Sequence, residues 1–137
     1  MSKDWVKDIN EMQTKYGVHD WIKKASPEQR NEYLKFRADF LKEELTELNN
    51  AIYHADSEEV VDALIDLCVV AIGTLDSFQV DAHKAWNEVL KANMNKQVGV
   101  KEGRPNPLGL PDLTKPEDWE APDPVSYTHL TLPTNTV

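Results

Sequence analysis

Two pairs of acidic residues have the spacing that a metal site on helices requires. Glu44 with Glu47, and Glu59 with Asp62, are each three residues apart. On a helix this spacing puts both carboxylates of a pair on one face, about one turn apart. If the chain reverses between the pairs, two antiparallel helices bring them face to face. Four carboxylates placed in this way repel one another unless a divalent cation lies among them, and an all-oxygen ligand set suits Mg²⁺.

Structural roles for the same residues are the alternative. A lone Glu-x-x-Glu is common on solvated helix faces, and Glu59 can close a capping box that begins at Asp56. Asp62 and Asp66 can also pair with a Lys or Arg of a neighbouring helix. Both aspartates, however, interrupt the apolar run of residues 60–75. A buried unpaired carboxylate is strongly unfavourable, so this position favours a metal site.

The predicted elements that carry these residues are helices. Ser26, Pro27 and Gln29 form a strong helix start, and the helix is expected to reach about residue 54. A second helix is predicted for residues 57–78 and, being apolar on nearly every side, should be the most buried element. Shorter helices are predicted at 2–15 and 82–94, and residues 18–25 are expected to be less regular. The first long helix has an apolar stripe at spacings of three and four: Leu34, Ala38, Leu41, Leu45, Leu48, Ile52 and Ala55.

These motifs together resemble a known superfamily. The two acidic pairs, followed by Asn93-x-x-Lys96 on a later helix, are similar over about residues 27–97 to the MazG-like nucleoside triphosphate pyrophosphohydrolases. That superfamily also contains phosphoribosyl-ATP pyrophosphohydrolases and dimeric dUTPases. The resemblance implies an all-α, MazG-like helical bundle with antiparallel core helices, and assembly as a homodimer or homotetramer.

The resemblance also implies a site and a reaction. Mg²⁺, or alternatively Mn²⁺, would be held by the four catalytic carboxylates Glu44, Glu47, Glu59 and Asp62, with Asn93 and Lys96 binding the substrate. The expected reaction converts a (deoxy)nucleoside triphosphate to the monophosphate and pyrophosphate, and the resemblance does not specify the base. Asp66, one turn after Asp62, is a further candidate beside the metal. Two alternatives stay open: phosphoribosyl-ATP as the substrate, or a non-catalytic acidic helical assembly protein.

Composition narrows the class of protein. The 137 residues carry a net charge of −9, which argues against direct binding to nucleic acid or to an anionic membrane. No signal peptide is recognisable, and the longest uncharged apolar run, residues 67–75, is too short to span a bilayer. We therefore expect a cytoplasmic protein that does not bind membranes. The single cysteine, Cys68, is predicted to be a core residue.

Changes in amino-acid composition along the chain predict three regions. Residues 1–100 form the helical domain. Residues 101–124 contain six of the eight prolines and are predicted to form an extended arm pinned by Leu108, Leu110 and Trp119. Residues 125–137 contain no charged side chain and resemble a translated sequencing adapter, so we expect this tail to be non-native.

Overall fold

The structure, a computed structural model, describes residues 3–104 and 106–123. Its helices confirm the all-α prediction, and four of them agree with the predicted bounds to within a few residues. Residues 18–24 also form a helix, where the sequence predicted a less regular segment. The predicted tail at 125–137 lies outside the described residues. In chain order the elements are α1 (Trp5–Lys15), α2 (Val18–Lys24), α3 (Pro27–Tyr53), α4 (Ser57–Ser77), α5 (Ala82–Met94), β1 (Gln97–Gly99) and β2 (Asp112–Thr114).

Internal contacts divide the chain into two compact units. The first unit includes everything up to Ala82 and so contains α1 to α4, while the second begins at His83 and contains α5, β1 and β2. None of the helices in the described part is both long and apolar enough to cross a membrane.

In the first unit, α3 and α4 are joined by a very tight turn. The Asp56 N–H donates to the Ala51 carbonyl and the Ala55 N–H to the Ile52 carbonyl, which is the Schellman pattern at a helix C-terminus. Ala55 is left-handed, with φ of 53°, where glycine is usual. Asp56 then caps α4 by accepting from the Glu59 N–H at 3.2 Å. The turn therefore reverses the chain within three residues and sets the two long helices side by side.

Polar contacts fix how α3 and α4 pair. Near the start of α3, the Tyr33 hydroxyl bonds to Ser77 Oγ at 2.7 Å. One turn later, Arg37 Nη2 donates to the Val70 carbonyl at 3.0 Å. A Cβ at Gly73 would lie 2.7 Å from Arg37 Nη2, so a larger residue there would displace the guanidinium. Contacts made by later residues of α3 fall on earlier residues of α4. The two helices are therefore antiparallel, as predicted.

Helix α1 packs against the same segment of α4. Gln13, itself buried, donates from Nε2 to the Gly73 carbonyl at 2.7 Å and to Ser77 Oγ at 2.8 Å. Ser77 Oγ also donates to the Gly73 carbonyl. Each such buried hydrogen bond contributes about 1 kcal/mol and would cost more if one partner were removed. This network joins three helices at one level of the bundle.

Burial of α4 is less complete than the sequence predicts. It contributes four buried residues, Ala63, Val70, Gly73 and Ser77, more than any other helix. One face nevertheless stays exposed in the single chain, and the prediction that Cys68 is a core residue is wrong, because Cys68 is exposed. Large apolar side chains on that exposed face are Val61, Leu64, Ile65 and Leu75.

In the second unit, the proline-rich segment contains a short sheet that the sequence did not predict. β1 and β2 pair antiparallel, with Val98 opposite Leu113. Of the three predicted anchors, only Trp119 is confirmed, because its indole Nε1 donates to the Ala92 carbonyl at 2.6 Å. Leu108 and Leu110 are 78% and 60% exposed, so they do not pin the arm.

Candidate active site

The antiparallel pairing of α3 and α4 brings carboxylates of both helices together. Glu44 and Glu47 lie one turn apart on α3, and Asp62 and Asp66 lie one turn apart on α4. All four interact electrostatically across the helix pair. The predicted convergence of Glu44, Glu47 and Asp62 is therefore seen, with Asp66 as the fourth member. We call these four residues the acidic cluster.

Glu44 is the most constrained member of the acidic cluster. Its side chain is only 8% exposed, and Oε2 is buried with no hydrogen-bond partner. Burial raises the pKa of Glu44, and the negative charges of Glu47 and Asp66 raise it further. A buried carboxylate oxygen without a donor is unfavourable unless a cation or a proton compensates it. Glu44 is thus a position that either a bound cation or a proton stabilises.

Asp66 shows the same pattern from the α4 side. Burial raises the pKa of Asp66, and the neighbouring carboxyl group of Asp62 raises it further. The carboxyl group of Glu47 acts on Glu44 in the same way. The acidic cluster therefore consists of two pairs of like-charged neighbours, one pair on each helix.

Glu59, the remaining predicted ligand, lies near the start of α4. Its side chain is exposed, and its backbone N–H is used by the Asp56 cap. Glu59 does not contribute to the raised pKa of Glu44 or of Asp66. Glu59 is therefore close to the acidic cluster in the sequence, but in the structure its charge does not act on Glu44 or Asp66.

The metal expected from the sequence can be compared with these donors. Across residues 3–104 and 106–123, no three Asp, Glu, His or Cys side chains are gathered tightly enough to hold an ion as they stand. The type of donor fits a hard divalent cation, because the cluster offers only carboxylate oxygens and Glu44 Oε2 lacks a partner. Binding would require these carboxylates to lie closer together than they do in the structure.

Asn93 and Lys96, the predicted substrate-binding residues, belong to the second unit. Asn93 is exposed in the last turn of α5, and its carbonyl accepts from the Lys96 N–H at 3.1 Å. The Lys96 ammonium lies 5.6 Å from the centroid of the Trp119 ring. The pair therefore marks the C-terminal end of α5.

Sequence reasoning missed Arg37. This cation lies two turns before Glu44 on the same row of α3, and its Nε donates to Thr74 Oγ1 at 3.0 Å. It is bound to the Val70 carbonyl rather than to any carboxylate of the acidic cluster. The sequence feature that could have identified Arg37 is its spacing of seven residues from Glu44, which puts both on one face of a helix. Arg37 therefore joins α3 to α4 two turns from the acidic cluster.

Comparison with known proteins agrees with the fold. The profile of the phosphoribosyl-ATP pyrophosphohydrolase family matches residues 17–93, which is more than half of the 137-residue chain. This family is part of the MazG-like nucleoside triphosphate pyrophosphatase superfamily, so the predicted resemblance is confirmed. The chain belongs to the phosphoribosyl-ATP pyrophosphohydrolase family. No curated protein and no solved structure gave a significant match.

Family membership supports a coarse activity. The protein is a pyrophosphohydrolase that acts on a nucleotide, within a family of generally metal-dependent hydrolases. The matched range includes the acidic cluster, Glu59 and Asn93 but ends before Lys96. The arm that carries Trp119 also lies outside it.

Proposed function

We propose that this protein hydrolyses a (deoxy)nucleoside triphosphate between the α- and β-phosphates, with Mg²⁺ as cofactor and Mn²⁺ as the alternative ion. The products are a nucleoside monophosphate and pyrophosphate. The observation that carries the proposal is the buried, unpartnered Glu44 Oε2 among facing carboxylates. A triphosphate brings several negative charges to a cluster that already lacks positive charge, so a cation has to accompany it.

Glu44, Glu47, Glu59 and Asp62 are the proposed metal ligands. The metal, when bound, polarises a phosphoryl oxygen and lowers the pKa of an attacking water. Asp66 lies one turn after Asp62 and interacts with it electrostatically. A carboxylate with a raised pKa is a better proton acceptor from water. Glu44 and Asp66 are therefore the candidates for the general base.

Phosphoribosyl-ATP is the second candidate substrate, favoured by the family whose profile matches the chain. It contains the same triphosphate, so the acidic cluster would act on it in the same way. The choice between the substrates depends on contacts to the base and sugar rather than on the carboxylates.

A substrate screen tests the proposed reaction. Canonical and modified (deoxy)nucleoside triphosphates and phosphoribosyl-ATP are incubated with Mg²⁺, and pyrophosphate and monophosphate are measured. At least one substrate should give both products, and chelation should abolish the reaction. Release of orthophosphate without pyrophosphate would contradict the bond assignment. No turnover of any substrate would instead favour the acidic assembly protein.

The proposal includes a homodimer or homotetramer. The exposed apolar face of α4 continues into a groove of about 200 Å³ against α1, lined by Trp5, Ile65 and Cys68 among others. An apolar helix face next to an apolar groove is typical of a surface that another protein covers. A second copy is always present wherever the chain is made, and a two-fold axis would place α4 against α4. We also propose a cytoplasmic location, where nucleotide substrates are available.

A further inference from the structure

Contacts outside the acidic cluster define the register of α3 and α4. A Cβ on Gly73 would lie 2.7 Å from Arg37 Nη2, so Arg37 and Gly73 face each other. Seven residues make about two helical turns and return to the same face. Seven residues forward from Arg37 on α3 is Glu44, and seven residues back from Gly73 on α4 is Asp66. The register therefore pairs Glu44 with Asp66 independently of their charges.

Glu59 lies one level further along the helix pair. Seven more residues on each helix bring Ala51 opposite Glu59, and seven residues rise about 10 Å along a helix. Ala51 is buried, and its methyl group offers no ligand atom. Mg²⁺ holds its oxygen ligands at about 2.1 Å. A cation bound by Glu44 is therefore much closer to Asp66 than to Glu59.

Glu44 and Asp66 are also the members of the acidic cluster that water reaches least. Glu44 is 8% exposed, and its Oε2 is buried with no hydrogen-bond partner. Asp66 is half-buried, whereas Glu47 and Asp62 are exposed. The charges of Glu44 and Asp66 repel each other, and water screens this repulsion least where both groups are shielded. A divalent cation between them would offset the repulsion and give Glu44 Oε2 a partner.

We propose that Asp66 is a metal ligand that shares one divalent cation with Glu44. This role lies outside the four carboxylates of the family pattern, which includes only Glu59 and Asp62 from α4. The inference rests on the metal requirement of the proposed function but not on which bond is cleaved. It assigns Asp66 to cation binding rather than to proton transfer from water.

Metal titrations of the full chain test this role without any substrate. Mn²⁺ is the probe, because its EPR signal reports the concentration of the free ion. Asp66→Asn should weaken Mn²⁺ binding roughly tenfold or more, since even the loss of a group behind a metal ligand costs about 10- to 100-fold. Asp66→Glu keeps the charge and should bind Mn²⁺ more tightly than Asp66→Asn. Glu58→Gln is the matched control, because Glu58 is an exposed carboxylate in the first turn of α4, and the affinity should not change.

A double-mutant cycle shows whether Asp66 and Glu44 share one ion. Glu44→Gln alone should also weaken Mn²⁺ binding roughly tenfold or more. The combined variant should lose clearly less than the product of the two single losses, because both changes remove ligands from the same ion. The Mg²⁺-induced rise in Tm should shrink in all three variants. In EDTA, Asp66→Asn should keep or raise the Tm, because it removes a like charge beside Glu44.

Two results would overturn the ligand role. If Asp66→Asn binds Mn²⁺ as tightly as the wild-type protein but loses activity, Asp66 acts as the general base instead. If the losses in Asp66→Asn and Glu44→Gln are fully additive, the two carboxylates do not share an ion. Absence of Mn²⁺ binding by the wild-type protein would likewise overturn the proposal.

Failure of the proposed function gives a different result. If the wild-type protein turns over no nucleotide but binds Mn²⁺ with the expected coupling, the reaction is wrong and the ligand role stands. If the wild-type protein hydrolyses nucleotides and Asp66→Asn leaves Mn²⁺ binding unchanged, the ligand role is wrong and the reaction stands.

Discussion

Neutralising one carboxylate of the acidic cluster should remove metal binding without weakening the metal-free fold. In Glu47→Gln the charge that raises the pKa of Glu44 is lost, and an amide can donate to a neighbouring carboxylate. The free energy of unfolding in EDTA should therefore hold or rise. Activity with Mg²⁺ should fall sharply, because one proposed ligand is gone.

The size of the metal effect can be estimated. A ligand present at a hundred times its dissociation constant stabilises the folded state by about 2.7 kcal/mol. A chain of 137 residues has an unfolding entropy of about 0.3 kcal/mol per degree. Saturating Mg²⁺ should thus raise the Tm of the wild-type protein by about 9 °C. In Glu47→Gln the shift should almost disappear.

Thermal melts with EDTA and with Mg²⁺ measure both quantities. Glu43→Gln is the matched control, since Glu43 is an exposed neighbour on α3 and should keep the full metal shift. The opposite pattern would refute the metal site: a large loss of stability in EDTA together with an unchanged Mg²⁺ shift. That result would mean that Glu47 supports the fold rather than the cation.

Four other outcomes are expected. The folded-state pKa values of Glu44 and Asp66 are raised. At pH values just above the ordinary pKa values of these groups, the native state therefore binds more protons than the unfolded chain. Stability in EDTA should therefore fall as pH rises through that window, and Glu44→Gln should flatten the dependence in urea titrations. Ala55→Gly should stabilise the protein by about 1 kcal/mol in denaturant melts, because it relieves a left-handed alanine. Leu64→Lys, on the exposed face of α4, should convert the proposed oligomer to a monomer by light scattering while the helical circular dichroism is retained. Deleting residues 125–137 should leave Tm and activity unchanged, and a loss of either would show that this tail is a native part of the protein.

The helix pair was predictable because its signals are local. Ser26 accepts from the Gln29 N–H at 3.1 Å, and Gln29 Oε1 accepts from the Ser26 N–H at 2.8 Å. This capping box and the Asp56 cap can be recognised from residue types alone. The acidic spacing then follows from helical periodicity. For these reasons the bounds of α3 and α4, their antiparallel pairing and three members of the acidic cluster could all be predicted.

Features that depend on pairing between distant residues could not be predicted in this way. The β1–β2 sheet joins residues about fifteen positions apart, and its strands of three residues each are too short for periodicity to reveal. Cys68 lies in an apolar run, yet hydrophobicity does not show which side of a helix is covered by the rest of the same chain. The structure leaves that side of α4 exposed, so apolar sequence there indicates an interface as readily as a core.

The membership of the acidic cluster depends on the axial offset between the two helices, which periodicity leaves undetermined. In the structure Glu44 interacts with Asp66 and Asp62, and Tyr33 meets Ser77. Both observations describe one register, set by the tight turn at Ala55. In that register Asp66 lies opposite Glu44, and the first turn of α4 lies beyond Glu47. The turn therefore decides which carboxylates share the buried position at Glu44.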